Sequence, residues 1–146
     1  MTNPRPGGRS VLPCACANVR RAARAITHFY DDALRDTGLR STQFTLLQAL
    51  SLSGELTQGE LGDFLAIDTT TLTRTLGSLK SRGWIRSRTG EDRRERFWAL
   101  APAGRRQLDR ARPAWENAQR RIRTRFGGER LSSLFDDLAR IVVAAS

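Results

Sequence analysis

Residues 56–100 of this chain read LTQGELGDFLAIDTTTLTRTLGSLKSRGWIRSRTGEDRRERFWAL, and this stretch decides the fold. Its first part, Thr57-Gln58-Gly59-Glu60, has the form of a capping box, in which a hydroxyl and a carboxylate satisfy free backbone amides at the start of a helix. A short helix is therefore predicted to begin here and to continue through Leu65. Asp68, three residues further on, can cap another.

This second helix is predicted from Thr69 to about Arg82, with Gly83 as its terminator. On a helical wheel at about 100° per residue, its leucines fall on one side and must face the core. They are Leu72, Leu76 and Leu79. The candidate contact residues lie on the polar side and are Thr69, Thr70, Thr73, Arg74 and Gly77.

The polar side of this helix has the chemistry needed to read a base pair. Short hydroxyl side chains allow a helix to lie deep in the major groove, and arginine hydrogen-bonds guanine or a phosphate. Gly77 removes a side chain where the helix backbone can approach the duplex. An ordinary amphipathic helix shows the same pattern, so the helix alone leaves both interpretations open.

A charged hairpin is predicted next, because two β-prone segments, residues 84–88 and 96–100, flank a polar turn. Arginines extended from such a hairpin can enter a narrow minor groove, where the negative potential is enhanced. A solvated turn with incidental charge is the alternative. We expect the Asp92 carboxylate to hold the Arg94 guanidinium in one orientation. The candidate contact residues of the hairpin are Arg86, Arg88, Asp92, Arg93, Arg94 and Arg96.

The order of these elements is more informative than any one of them. A capped helix, a helix with a hydroxyl and arginine face, and an arginine-rich hairpin together predict a helix-turn-helix followed by a wing, an arrangement that grips duplex DNA. The composition agrees, since the 146 residues carry a net charge of +10 and a pI near 11.4, which favour polyanionic partners. Lys80 is the only lysine, so nearly all the positive charge is arginine. Codon bias and selection for guanidinium chemistry are the two explanations for this excess of arginine.

Residues 1–12 are basic and lack the apolar core of a signal peptide, so we predict a flexible arm and a cytoplasmic location. No apolar run approaches the ~20 residues needed to span a bilayer, and no membrane partner is expected. The fold class is predicted as mainly α with a small two-stranded β-wing. Residues 41–102 form the winged helix-turn-helix, while residues 13–40 and 103–146 form a helical dimerisation region, all in one compact domain.

Helical spacing outside the central stretch defines the remaining elements. We predict a first helix from about Pro13 to Asp36, a second capped by Ser41, and a long basic helix from about Ala103 to Phe126 that Pro113 kinks. A last helix follows Gly127-Gly128. The first and last helices both carry apolar stripes, and large exposed stripes mark association surfaces. A homodimer is therefore expected; packing of both stripes within one chain is the alternative.

Several motifs resemble those of the MarR family, and the resemblance covers about residues 14–144. They are QGELGDFL at 58–65, DTTTLTR at 68–74, the segment from Leu79 to Gly83, the Asp92-Arg93-Arg94 wing tip and LAPAG at 100–104. Ala101 stands where the family usually has threonine, so a capping hydroxyl is missing at a cost of ~1 kcal/mol. The resemblance implies a dimeric winged helix-turn-helix regulator, usually a repressor, that binds near-palindromic operators.

Family members often respond to small aromatic ligands or oxidants. The resemblance implies a ligand crevice where the dimerisation helices meet the winged domain, to which His28, Tyr30 and Trp115 can contribute; burial in the core is the alternative. Cys14 and Cys16 are candidate redox or soft-metal groups, or else inert small residues. A thiol-based redox or metal-binding protein is the corresponding remote alternative.

An enzyme is not expected, because the chain has one histidine, no paired acid and base cluster and no glycine-rich phosphate loop. No cofactor is predicted. The nearer competitor is a basic protein that coats or bends DNA without sequence preference, with steep salt dependence.

Overall fold

The structure is a computed structural model that describes residues 12–146. The basic arm predicted for residues 1–12 lies outside these residues, except for Leu12. The chain folds in the following order: α1 (Ala15–Leu34), a 3₁₀ turn (Arg35–Thr37), α2 (Ser41–Ser53), β1 (Leu56–Thr57), α3 (Gln58–Leu65), α4 (Thr69–Ser81), β2 (Ile85–Thr89), β3 (Arg96–Leu100), α5 (Pro102–Phe126) and α6 (Gly128–Ala144). The mainly helical fold class is confirmed.

The predicted starts of α3 and α4 are confirmed at the level of single hydrogen bonds. The Glu60 backbone amide donates to the Thr57 hydroxyl at 3.2 Å, and the Thr57 amide donates to the Glu60 carboxylate at 2.7 Å. The Thr71 amide donates to Asp68 at 2.8 Å. These bonds hold the pKa values of Glu60 and Asp68 below their usual range; the largest cause is the Thr57 backbone amide for Glu60 and the Thr71 hydroxyl for Asp68.

The predicted cap of α2 is wrong. Ser41 is already the first helical residue, and Arg40 occupies the capping position with an extended backbone. The Arg40 amide donates to the Gln43 side chain at 3.0 Å, and the Ser41 amide donates to the Asp31 carboxylate on α1 at 2.7 Å. The Ser41 backbone amide at the start of α2 is therefore satisfied by a carboxylate on α1, a contact that the local sequence does not indicate.

The predicted two-stranded wing is present as β2 and β3, and a short strand β1 pairs with β3 to give a three-stranded sheet in the order β1-β3-β2. All pairs are antiparallel, with Leu56 opposite Trp98 and Ile85 opposite Leu100. Strand β1 has only two residues, which is too short to show any alternation in sequence. Its pairing fixes the loop before α3 to the base of the wing.

One apolar core lies beneath α4 and is lined by the end of α1, by α2, α3 and α4, by the sheet and by the first half of α5. Leu72, Leu76 and Leu79 are buried in it, as predicted from the helical wheel. The other fully buried large side chains are Leu34, Phe44, Leu46, Leu47, Leu50, Leu61 and Leu108. The core fixes which face of α4 is left to solvent.

The junction between the wing and α5 is close-packed. Ala101 caps α5 without a side-chain hydrogen bond, as its missing hydroxyl predicts. The Ala101 backbone amide donates a hydrogen bond to the Trp84 carbonyl oxygen at 2.9 Å. Gly104 is buried against the same carbonyl group, and a Cβ placed there would overlap the oxygen and lie 2.8 Å from the carbonyl carbon. Residue 104 must therefore be glycine for α5 to begin at this place.

The terminal helices leave apolar side chains in solvent. Leu131 is the one residue of α6 that the chain buries. Large apolar residues remain exposed along α1, α5 and α6, namely Val19, Ile26, Phe126, Phe135, Leu138, Ile141, Val142 and Val143. No helix within residues 12–146 is both long enough and apolar enough to cross a membrane.

Candidate nucleic-acid interface

Helix α4 presents the predicted polar face to solvent. Its candidate contact residues are all exposed, namely Thr69, Thr70, Thr73, Arg74 and Gly77. A Cβ built on Gly77 meets no atom within 4 Å, so this glycine is not needed for packing in the chain. The leucine face and the polar face thus separate as an amphipathic helix requires.

The threonine hydroxyls of α4 differ in what they bind. Thr71 donates its hydroxyl proton to Asp68 at 2.6 Å, and Thr75 donates to the Thr71 carbonyl oxygen at 2.9 Å. Thr73 behaves differently, because its hydroxyl oxygen accepts a hydrogen bond from the Gln58 side-chain amide at 3.1 Å. Gln58 is a half-buried residue at the start of α3 that sequence reasoning did not single out.

The wing carries five exposed arginines among the candidate contact residues, namely Arg86, Arg88, Arg93, Arg94 and Arg96. The Arg96 guanidinium lies 6.0 Å from the Trp98 ring centroid. The turn that connects β2 to β3 closes with the Gly90 amide donating to the Glu95 carbonyl oxygen at 2.9 Å. This arrangement leaves Arg93 and Arg94 in the turn itself.

Arg88 makes intramolecular contacts that the sequence does not predict. Its Nε donates to both carboxylate oxygens of Glu55 at 2.9 and 3.0 Å, and a terminal guanidinium nitrogen bonds the same group. The guanidinium also lies 4.3 Å above the Phe97 ring, the cross-strand partner of Arg88. Hydrogen bonds from Arg88 hold the pKa of Glu55 below its usual range. Arg88 therefore fastens β2 to the segment before β1 rather than extending freely.

The predicted orientation of the Arg94 guanidinium by Asp92 is wrong. The Asp92 carboxylate accepts a hydrogen bond from the Arg94 backbone amide at 2.9 Å rather than from the guanidinium. The Asp92 carbonyl oxygen accepts from the Glu95 amide at 2.9 Å. Asp92 thus forms an Asx-turn, in which the side chain accepts a hydrogen bond from the backbone amide two residues later. The Arg94 side chain is left exposed.

A cleft of about 300 Å³ lies between α1, α2 and α5. Tyr30 and Trp115 line it, as expected, together with apolar and hydroxyl-bearing residues such as Phe44 and Thr45. The Tyr30 hydroxyl donates to Gln119 at 2.5 Å, and burial raises the Tyr30 pKa. His28 is exposed and does not line the cleft, because it lies on another side of α1.

Both thiols lie at the start of α1. Cys14 occupies the capping position with an extended backbone, whereas Cys16 is within the helix, and both are exposed. The Arg20 guanidinium lies 3.7 Å from the Cys16 sulfur. Within residues 12–146 no group of three or more His, Cys, Asp and Glu side chains is arranged to hold a metal ion.

The fold and this face have close counterparts among known proteins. A family model for the MarR family matches residues 37–95, which include α2, α3, α4, β2 and the turn of the wing but not β3. The transcriptional regulator MosR of M. tuberculosis, solved in complex with DNA, is 35% identical; the match covers 90% of this chain and 98% of MosR, with a TM-score of 0.79. This chain belongs to the MarR family.

Two other relatives of this MarR-family chain are uncharacterized HTH-type transcriptional regulators of Bacillus subtilis. YwoH is 35% identical over 82 residues, which are 56% of this chain and 60% of YwoH. YdgJ is 29% identical over 106 residues, or 72% of this chain and 65% of YdgJ. The chain therefore spans less than two thirds of the length of these two relatives. They are regulators rather than enzymes by name.

Proposed function

We propose that this protein is a sequence-specific double-stranded DNA-binding transcriptional regulator, and specifically a repressor. One observation carries the proposal: the exposed face of α4 is made of hydroxyls, one arginine, one glycine and one lysine, while its leucines are buried. A helix held in this way can enter the major groove with base-reading groups outward. The relationship to MosR, a regulator that binds DNA, supports this use of the face.

Charge around the face supports the same conclusion. Between Asp68 and Leu100 there are eight basic side chains and four acidic ones. Phosphate contacts position a protein on the duplex, and base contacts specify the sequence. We propose that the wing arginines, led by Arg93 and Arg94, contact the minor groove and its phosphates while α4 reads bases.

A homodimer on a near-palindromic operator completes the proposal. The apolar side chains that α6 and α1 leave exposed form a surface suited to self-association. Two-fold symmetry would place the two copies of α4 in successive major grooves about one helical turn apart. A symmetric pair of half-sites in the DNA is then the counterpart of the protein's symmetry.

Footprinting on the DNA that flanks the protein's own gene tests this function. We expect a discrete protected region with two lobes, and competition by random DNA that is weaker by three orders of magnitude or more. Continuous protection without a preferred site, with steep salt dependence, would instead identify a non-specific DNA-coating protein. Transcription from the protected promoter, with and without the protein, determines whether the regulator represses.

We further propose that a small aromatic effector releases the protein from DNA by binding in the cleft between α1, α2 and α5. Aromatic walls with a few polar groups are typical of small-molecule sites, and Tyr30, Phe44 and Trp115 provide such walls here. A thermal-shift screen of aromatic compounds, followed by a DNA-release assay on each hit, tests the idea. The Trp115→Ala variant should lose the response, whereas His28→Ala should keep it.

Thiol oxidation is the second route to release that we propose, since both sulfurs are exposed and an arginine lies beside Cys16. Peptide mass spectrometry after mild peroxide treatment, with the wild type and a Cys14→Ser variant, tests this route. Unmodified thiols would remove it, and a zinc or copper titration in the same samples distinguishes soft-metal binding from oxidation.

A further inference from the structure

The contact between Gln58 and Thr73 joins the two helices of the helix-turn-helix. Among the hydrogen bonds of residues 12–146, it is the one side-chain bond that connects α3 with α4. The donor is the Gln58 amide nitrogen, and the acceptor is the Thr73 hydroxyl oxygen. Gln58 is itself held at the first position of α3, next to the capping box of Thr57 and Glu60.

This bond determines which further hydrogen bonds the Thr73 hydroxyl can form. A hydroxyl group has one proton to donate and two lone pairs that accept. Gln58 occupies one lone pair, and in the described part of the chain the Thr73 proton has no acceptor. Threonines inside helices commonly donate that proton to the carbonyl oxygen four residues earlier, as Thr75 does with Thr71. Thr73 therefore keeps its proton on the exposed face of α4.

We infer that Gln58 is a specificity-determining positioning residue: it orients the Thr73 hydroxyl so that Thr73 donates a hydrogen bond to the DNA. The inference rests on the proposed function, because it assumes that α4 lies in the major groove. The groups there that accept such a bond are guanine O6 and N7, adenine N7 and thymine O4, whereas the cytosine amino group only donates. Thr73 with Gln58 behind it should therefore disfavour the cytosine amino group at the position it faces.

A Gln58→Glu substitution reverses the polarity of the contact. A carboxylate only accepts, so it would take the Thr73 proton and leave oxygen lone pairs facing outward. An acidic residue is also favourable in the first turn of a helix, so the variant should fold. Gln58→Ala is the second variant; it frees the hydroxyl to rotate and should broaden the preference without reversing it.

The experiment selects binding sites from a randomised duplex library and then measures affinity for every single-base-pair substitution of the selected site. We expect Gln58→Glu to change the preferred base at one position per half-site by about tenfold or more, in favour of an amino-bearing edge. The added negative charge should weaken binding to all sequences equally. Gln119→Glu, which alters charge in α5 and can still accept the Tyr30 hydrogen bond, controls for that uniform loss.

A Thr73→Val background separates positioning from direct reading by Gln58. If Gln58 acts through the Thr73 hydroxyl, Gln58→Glu should not change base preference in this background. A change that persists there would show that Gln58 contacts the base itself and would overturn the inference. An unchanged preference in the Gln58→Glu single variant would overturn it as well. A wild-type protein that selects no site would contradict the proposed function together with this inference.

Discussion

Gly104 shows how one residue can fix the junction between two elements. It is buried in the first turn of α5, where an added Cβ would overlap the Trp84 carbonyl oxygen and lie 2.9 Å from the Leu100 Cδ1 atom. The carbonyl group is backbone and also accepts the Ala101 amide, so it cannot move without breaking that bond. The glycine of the LAPAG motif is thus required by the close approach of wing and helix.

We expect Gly104→Ala to lower the free energy of unfolding by about 1–3 kcal/mol, the usual cost of forcing extra atoms into a packed interior. Equilibrium unfolding in urea measures the change. In an open helical position the same substitution stabilises by about 0.5–1 kcal/mol. A stability equal to or above that of the wild type would show that α5 can shift away from Trp84.

Gly77 provides the matched case, because nothing lies within 4 Å of its Cβ position. We expect Gly77→Ala to raise the free energy of unfolding by about 0.5–1 kcal/mol. Operator affinity should fall nonetheless, since the new methyl group stands on the face proposed to approach DNA. Unfolding and DNA titration on the same preparation test both effects. Stabilisation with undiminished affinity would remove Gly77 from the interface.

At the scale of the element, the start of α4 depends on a charged cap. The Thr71 hydroxyl and the Thr71 amide hold the pKa of Asp68 below its ordinary value of 3.8. The unfolded chain therefore takes up this proton at a higher pH than the folded chain does. The cap's contribution is complete above about pH 3.8 and is lost as pH falls through the lower folded value.

The Asp68→Asn variant tests this linkage, because asparagine caps helices about as well as aspartate but does not titrate. We expect the stability of the wild type relative to this variant to be constant near neutral pH and to decrease as pH falls below about 3.8. Urea unfolding at a series of pH values measures the difference. The lowered pKa of Glu60 contributes equally in both proteins. Parallel curves over the whole range would contradict the role of the Asp68 charge.

The wing separates arginines with a structural role from those available to DNA. Removing one phosphate contact lowers the salt dependence of log K by about 0.9. We expect Arg94→Ala to reduce the slope of log K against log salt concentration by about that amount per subunit. Arg88→Ala should leave it nearly unchanged, because Glu55 and Phe97 hold that side chain. Affinity measured at several salt concentrations tests both, and an equal effect of the two variants would contradict the assignment.

The elements that could be predicted from sequence are those whose signals are local. Thr57 and Asp68 lie next to the amides they cap, and the helical period puts Leu72 on the core side whatever the remainder of the chain does. The features that the sequence does not reveal depend on long-range partners. Strand β1 exists through its pairing with β3, and Arg88 is fixed by Glu55, 33 residues earlier in the chain. In the sequence, Gln58 stands in a capping box and in a family motif, and neither indicates that its side chain contacts Thr73 on α4.

At the scale of the whole molecule, α1 and α6 leave large apolar side chains exposed in a single chain. Val142 is 65% exposed and Ile141 46%, although both lie on a helix whose only buried residue is Leu131. Burial of such side chains contributes about 25 cal/mol per Å² of apolar surface removed from water. Most of the exposed large apolar side chains of residues 12–146 lie on α1, the end of α5 and α6, outside the one core cluster.

A charge placed on this surface tests the homodimer and its importance for DNA binding together. We expect Ile141→Asp to give a monomer in sedimentation at micromolar concentration, because an unpaired carboxylate is costly to bury. Operator affinity should fall by about a hundredfold or more, since the second half-site no longer adds to the first. Leu52→Asp is the matched control: Leu52 is 79% exposed at the end of α2, away from the terminal helices. A dimer that survives Ile141→Asp but not Leu52→Asp would move the interface to the head. If both variants stayed dimeric, the exposed stripe of α6 would not be the surface that joins the two copies.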